Sequence, residues 1–170
     1  QPTSLQLGAP GGPFSAGANL EAAMPAFMMG GAKGIEPFVK KFQDTMMRVK
    51  YAAVPVVPAV SGIALGGGCE LMLHSARRVV AMESYVGLVE VGVGLVPAGG
   101  GLKEAALRAA ADAKGNDLLQ FLKNYFTHAA TAQVSKSALE AKRMGYLSAN
   151  DTIVFNAYEL LHVARVDRKS

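Results

Sequence analysis

The chain is predicted to fold as an α/β domain in which short buried strands pass through glycine turns into helices. Three observations carry that expectation. Residues 60–73 (VSGIALGGGCELML) end an apolar run in three glycines and continue into an amphipathic segment, which reads as strand, tight turn and helix start. Residues 85–101 (YVGLVEVGVGLVPAGGG) place a second short strand, a glycine turn and the opening of another helix in succession. Hydrophobic residues make up 51% of the 170 and charged ones only 18%, enough for one domain with a real core and too apolar for disorder.

In chain order, residues 4–7 read as a short strand and residues 8–13 as a proline- and glycine-rich loop. Residues 21–34 hold Met24, Phe27, Met28 and Met29, then Gly30-Gly31-Ala32-Lys33-Gly34. Methionines between flexible glycines either fill core or mould to an apolar ligand chain. Residues 35–52 form an amphipathic helix, with Phe38, Val39, Phe42, Met46 and Val49 at three/four spacing. Pro37 opens it and Pro55 lies beyond its end. Residues 54–60 are a buried strand that feeds the Gly66 turn, and the helix from Gly68 runs to about Ala76, with His74 structural. Residues 77–82 and 85–88 are strands, residues 92–95 turn the chain, and a helix covers residues 102–111. Gly115-Asn116 breaks that helix, Asp117 caps another over residues 118–126, and His128 falls in the following loop. Residues 135–144 are a helix closed by Gly145. A last amphipathic helix begins at Asn156, its basic end suited to the C-terminal dipole. One domain spans residues 1–170, with a core of about 1–150 and a terminal helix of about 156–168.

Several function classes are excluded. No apolar run is long and charge-free enough for a convincing membrane span, and no secretory signal is expected from the residues at Gln1-Pro2-Thr3-Ser4. The single cysteine, Cys69, rules out an internal disulfide and fits a reducing cytoplasm. The net charge is +4, yet the bases fall in small clusters, which read as solvated surface and not as a nucleic-acid face. No ligand spacing around His128 suggests a metal.

The chemistry concentrates at Gly66-Gly67-Gly68-Cys69-Glu70. Glycines let a ligand approach bare backbone, and the first amides of a helix lack partners and carry positive potential. Such a turn suits an oxygen that becomes anionic, although tight strand-to-helix packing explains the glycines as well. Glu70 sits in the first helical turn. Twenty positions on, Glu90 is the only charge between Val86 and Leu102, so it is expected to be desolvated, with its pKa raised toward a value useful for proton transfer. Cys69, in an apolar helix start, is expected to pack and not to react.

These residues resemble the crotonase (enoyl-CoA hydratase/isomerase) superfamily. Phe14-Ser15-Ala16-Gly17-Ala18-Asn19-Leu20, residues 64–71 and residues 87–101 match its motifs in order and register, and the likeness covers roughly residues 10–150. The resemblance implies the ClpP/crotonase fold, an α/β spiral of ββα units with C-terminal helices. It implies that the amides of Ala18 and Gly67 form an oxyanion hole and that Glu70 and Glu90 are the catalytic pair. It also implies a substrate site that includes Phe14, Ala16, Asn19, Leu20, Met24, Leu95 and Pro97. Asn19 and Ala76 stand where many members have Asp. Crotonase domains normally have strands and a helix before the first motif, so the chain is expected to be a fragment or processed end whose N-terminal part is missing.

Residues 87–104, with Met144-Gly145-Tyr146-Leu147 and Asp151-Thr152-Ile153, look like the C-terminal hydratase domain of certain bacterial 3-hydroxyacyl-CoA dehydrogenases. The expected reaction is syn hydration of a trans-2-enoyl-CoA in fatty-acid β-oxidation, with no cofactor in this chain. Coenzyme A enters as part of the substrate, and NAD would belong to a dehydrogenase region outside it, since no GxGxxG fingerprint follows a strand here. The resemblance further implies a homo-oligomer of trimer-based form. A Δ3-Δ2-enoyl-CoA isomerase and a non-catalytic assembly module are the alternatives.

Overall fold

A computed structural model describes residues 5–8 and 12–166. In order the elements are β1 (Leu5–Leu7), α1 (Leu20–Lys50), β2 (Val56–Val60), β3 (Ile63–Leu65), α2 (Gly67–His74), β4 (Val79–Ala81) and β5 (Tyr85–Gly87). There follow α3 (Gly101–Ala113), α4 (Leu118–Ala130), α5 (Ala138–Arg143), β6 (Thr152–Val154) and α6 (Leu160–Val166). Strands β1-β2-β4-β6 form one parallel sheet, and β3 pairs with β5 in a second. Ala59 faces Val79 and Val79 faces Thr152 in the first, while Leu65 faces Gly87 in the second. The chain therefore steps from the first sheet to the second within a few residues and then enters a helix, as in the ββα spiral expected.

Alternation along the strands splits the core in two. Val57, Ala59, Val79, Ala81 and Val154 pack with Leu160 and Ala164 of α6. Val60 and Val80 face the other way, to Cys69, Met72 and Leu73 of α2 and Ala138 and Ala141 of α5. Cover on both faces is why β2 and β4 are wholly apolar. The β4–β6 edge is pinned by the buried Asp151 carboxylate, which accepts from Arg78 Nε (2.9 Å), Arg78 N (3.0 Å) and Ser148 N (2.6 Å).

Three expectations are corrected. The helix expected over residues 35–52, with Pro37 at its opening, begins much earlier: α1 is capped by Asn19, whose side chain accepts from Ala22 N, carries Pro37 in its interior, and breaks only at Gly31 (φ 54°, ψ −141°). Gly34 is there because a Cβ would strike the Ala26 carbonyl. Met28 and Met29 are 76% and 88% exposed, so this cluster fills no core. Second, His128 lies inside α4, which carries on until Thr131 because no breaker precedes it. Third, the terminal helix begins with a single 3₁₀ turn at Ala157–Glu159 before α6. Ser4 of the expected first strand, residues 9–11 of the loop and residues 167–168 of the tail lie outside the described residues. Among the described residues no helix is long and apolar enough to cross a membrane.

Candidate active site

The site is assembled by a short extended stretch laid against β3. Ser15 N donates to Ile63 O (2.9 Å) and Leu65 N to Ser15 O (3.0 Å), a parallel bridge that carries residues 14–18 to the start of α2. Contact between the two backbones is close. A Cβ on Gly68 would lie 2.6 Å from Ser15 O, and one on Gly17 (φ +104°) would lie 3.1 Å from Gly67 N. A Cβ on Gly67 would lie 3.4 Å from Ala18 N. Glycine is therefore required at 68 by space and at 17 by both space and conformation. The amides of Ala18 and Gly67 thus lie close to one another, and neither donates to a protein group among the described residues.

Glu70 follows on the first turn of α2, its own N–H bonded to Gly66 O (2.9 Å). The residue is 2% exposed, and its Oε1 accepts from Gly101 N (2.8 Å), the first amide of α3. Burial pushes its pKa up to about 7, against the pull of the Gly101 amide and with the Glu90 charge adding to the rise. Glu90 opens the 3₁₀ turn Glu90–Val93. Its Oε1 lies 3.4 Å from where a Cβ on Gly66 would be. Both of its carboxylate oxygens are buried without a well-formed hydrogen bond among the described residues, and burial raises its pKa against the weaker pull of the Glu90 and Val89 backbone amides. Two desolvated carboxylates thus flank one glycine turn, beside two amides.

The other sequence-derived candidates fall out unevenly. Phe14 packs against the main core cluster, and Pro97 is buried. Ala16 and Asn19 are exposed, and Asn19 caps α1. Leu20, Met24 and Leu95 are solvent-facing at 36%, 51% and 43% exposure. Cys69 is fully buried, with its thiol pushed well above the usual range by that burial, which suits packing.

Phe42 was legible only as part of an apolar helix face. Its ring covers the turn: Cζ lies 2.7 Å from a Cβ placed on Gly67, and a Cβ on Gly99 would strike both the ring and Glu70 Oε2. Gln43 Nε2 donates to Ala98 O (2.8 Å) and fastens this part of α1 to the 97–101 turn. No local pattern joins residues 55 positions apart. Among the described residues no cluster of three or more His, Cys, Asp or Glu could hold a metal ion.

The fold is that of the crotonase enzymes. An enoyl-CoA hydratase from Bacillus anthracis superposes with a TM-score of 0.73 at 25% identity, covering 98% of this chain and 59% of that one. An enoyl-CoA hydratase from Polaromonas sp. JS666 gives 0.73 at 22% identity, over 98% and 60%. The Enoyl-CoA hydratase/isomerase family matches residues 7–146, and the chain belongs to that family. A Bacillus subtilis (strain 168) protein described as a probable 3-hydroxyacyl-CoA dehydrogenase is 40% identical over 161 residues, 95% of this chain and 20% of that protein. The human mitochondrial methylglutaconyl-CoA hydratase is 39% identical over 92 residues, 53% of this chain and 25% of its own length. The chain thus spans a fifth to a quarter of these relatives.

Proposed function

We propose that this chain is an enoyl-CoA hydratase unit of fatty-acid β-oxidation that adds water across the double bond of a trans-2-enoyl-CoA. The thioester oxygen accepts from the amides of Ala18 and Gly67. Glu70 in its ionised form takes a proton from water as the water oxygen bonds to C3. The π electrons move through C2 to the thioester oxygen, and the amides hold the resulting enolate. Protonated Glu90 then delivers its proton to C2, which re-forms the thioester carbonyl. Proton exchange through solvent resets both carboxylates, so one water is consumed and one 3-hydroxyacyl-CoA is formed. The observation that carries this reading is the pairing of two buried carboxylates, both with raised pKa, beside two neighbouring amides that have no protein partner among the described residues. An isomerase needs only one base, so the second carboxylate favours hydration.

Phe14, Ala16, Asn19, Leu20, Met24, Leu95 and Pro97 remain the proposed lining for the acyl-CoA. The proposed reaction needs only water and the thioester. The likeness to the Bacillus subtilis protein supports a role beside a 3-hydroxyacyl-CoA dehydrogenase. In this reading the NAD-dependent oxidation belongs to residues outside this chain, and the single cysteine fits a reducing cytoplasm. The test is the loss of enoyl absorbance with crotonyl-CoA, for wild type and Glu90→Gln. The amide is isosteric but transfers no proton, so a folded variant should lose at least about a hundredfold in kcat. Wild-type turnover in that variant would remove the two-carboxylate mechanism. An inert wild type would favour the assembly-module alternative, and double-bond migration without hydration the isomerase. Reduction of NAD by the pure chain with 3-hydroxyacyl-CoA would overturn the division of labour.

A further inference from the structure

Behind Glu70 lies a partly buried polar cluster that the proposed reaction does not use. His74 is one turn further along α2, with its side chain fully buried. Its Nδ1 is 2.7 Å from the Glu70 carbonyl oxygen. A carbonyl has no hydrogen to give, so Nδ1 carries the proton of that bond. The opposite nitrogen, Nε2, is 3.1 Å from Lys103 Nζ, an ammonium that can only donate. Nε2 therefore holds its lone pair, and the ring is neutral. Glu104 Oε1, 3.5 Å from Nε2, is compensated by Lys50 Nζ at 2.6 Å and Lys103 Nζ at 3.1 Å. Lys103 also reaches Met47 Sδ (3.1 Å). The groups around the ring thus come from α1, α2 and α3. Burial lowers the His74 pKa, in keeping with a neutral ring.

The ring is also a spacer. Gly100 (φ +111°) lies against it, so that a Cβ there would sit 2.8 Å from Nε2 and 2.9 Å from Cε1. Gly100 is the residue before Gly101, whose amide holds Glu70 Oε1. One edge of the imidazole is thus bonded to the main chain of Glu70, and the other abuts the turn that grips the Glu70 carboxylate.

We propose that His74 is a positioning residue for Glu70: a neutral imidazole, protonated at Nδ1, that sets the distance between the Glu70 helix and the Gly101 amide. It touches no reacting atom and acts through the Glu70 carboxylate. The link to catalysis rests on the hydratase reading, whereas the link to Glu70 does not.

The experiment is NMR on the folded chain, followed by kinetics. Nitrogen shifts of His74 at pH 7 should show the neutral tautomer protonated at Nδ1; the Nε2 tautomer or the imidazolium would overturn the proposal. The carboxyl carbon of Glu70 is then titrated in wild type, His74→Leu, His74→Asn and His74→Gln. The Gly101 amide favours the ionised carboxylate, so a slackened turn moves the Glu70 midpoint to higher pH in His74→Leu. Asn places an N–H near Nδ1 and Gln near Nε2, so Asn should keep the wild-type midpoint and Gln should not. An unchanged midpoint in a folded His74→Leu sinks the proposal, and if that variant does not fold, equal behaviour of Asn and Gln does so. In hydration, His74→Leu should lose about tenfold or more in kcat, with KM changed less than about threefold and Asn restoring most of the loss. If wild type hydrates nothing, the function fails while the titration still decides the positioning role.

Discussion

Glu70 is costly to keep charged where it stands, and that cost is measurable. Folded, it retains its proton up to about pH 7; at the ordinary value of 4.5 the unfolded chain has begun to release it. Between those limits the folded state binds more protons, so this group's contribution favours folding below about 4.5 and declines as pH rises to 7. The full span corresponds to roughly 3 kcal/mol, and Glu90, also raised, acts in the same direction. Glu70→Gln should therefore gain stability relative to wild type between pH 5 and pH 8, as read from urea midpoints. A difference that does not vary with pH would contradict the buried-carboxylate assignment. As a base Glu70 must be ionised, so kcat/KM for hydration should fall below about pH 7. At this scale the sequence was informative: Glu90 stood alone in an apolar run, and burial follows from that isolation. The partners of His74 were not readable, because Lys50 and Glu104 lie 54 positions apart.

The decisive element is the glycine turn between β3 and α2, and its glycines have different jobs. Gly67 presents an amide beside Ala18, whereas Gly68 makes room for Ser15. In Gly68→Ala the new methyl meets main chain at 2.6 Å, and no side-chain rotation relieves it. The variant should lose about 1–3 kcal/mol of stability, and the displaced Ser15 strand should carry Ala18 away from Gly67 and depress kcat. Wild-type stability together with wild-type kcat would show that the 14–18 stretch is not held as described. Strand, turn and helix were readable here because each has a local signature. The first part of α1 was not, because Gly30, Gly31 and Gly34 carry the same letters as a loop, whereas its second part was readable from its apolar spacing. Only the Ala26–Gly34 packing, a tertiary contact, tells a close approach from a break. β6, at three residues, is too short to announce itself, and its register depends on Arg78 and Asp151.

Across the whole molecule, much apolar surface stays uncovered. Met29 is 88% exposed, Met28 76%, Phe126 68% and Val96 63%. The resemblance implies a homo-oligomer, in which some of these exposed apolar residues would be covered by another copy. Light scattering at about 10 μM should give the mass of three chains, or a multiple of three. A stable monomer would refute this, and a dimer would exclude the trimer. The sequence held half of this picture: the methionines of α1 were there to read, but their exposure was not.

The neighbouring amides of the β3–α2 turn differ sharply in partnership, which makes them a built-in pair of isotopic clocks. Leu65 N and Gly66 N are bonded to Ser15 O and Gly87 O, whereas Gly67 N and Ala18 N reach no protein acceptor among the described residues. In deuterated solvent the first two should hold their protons through many local openings, while Gly67 and Ala18 exchange much faster. A non-reacting acyl-CoA should slow Gly67 and Ala18 by the same factor, since one oxygen would occupy both. Slowing of only one of them would mean that the thioester carbonyl sits elsewhere.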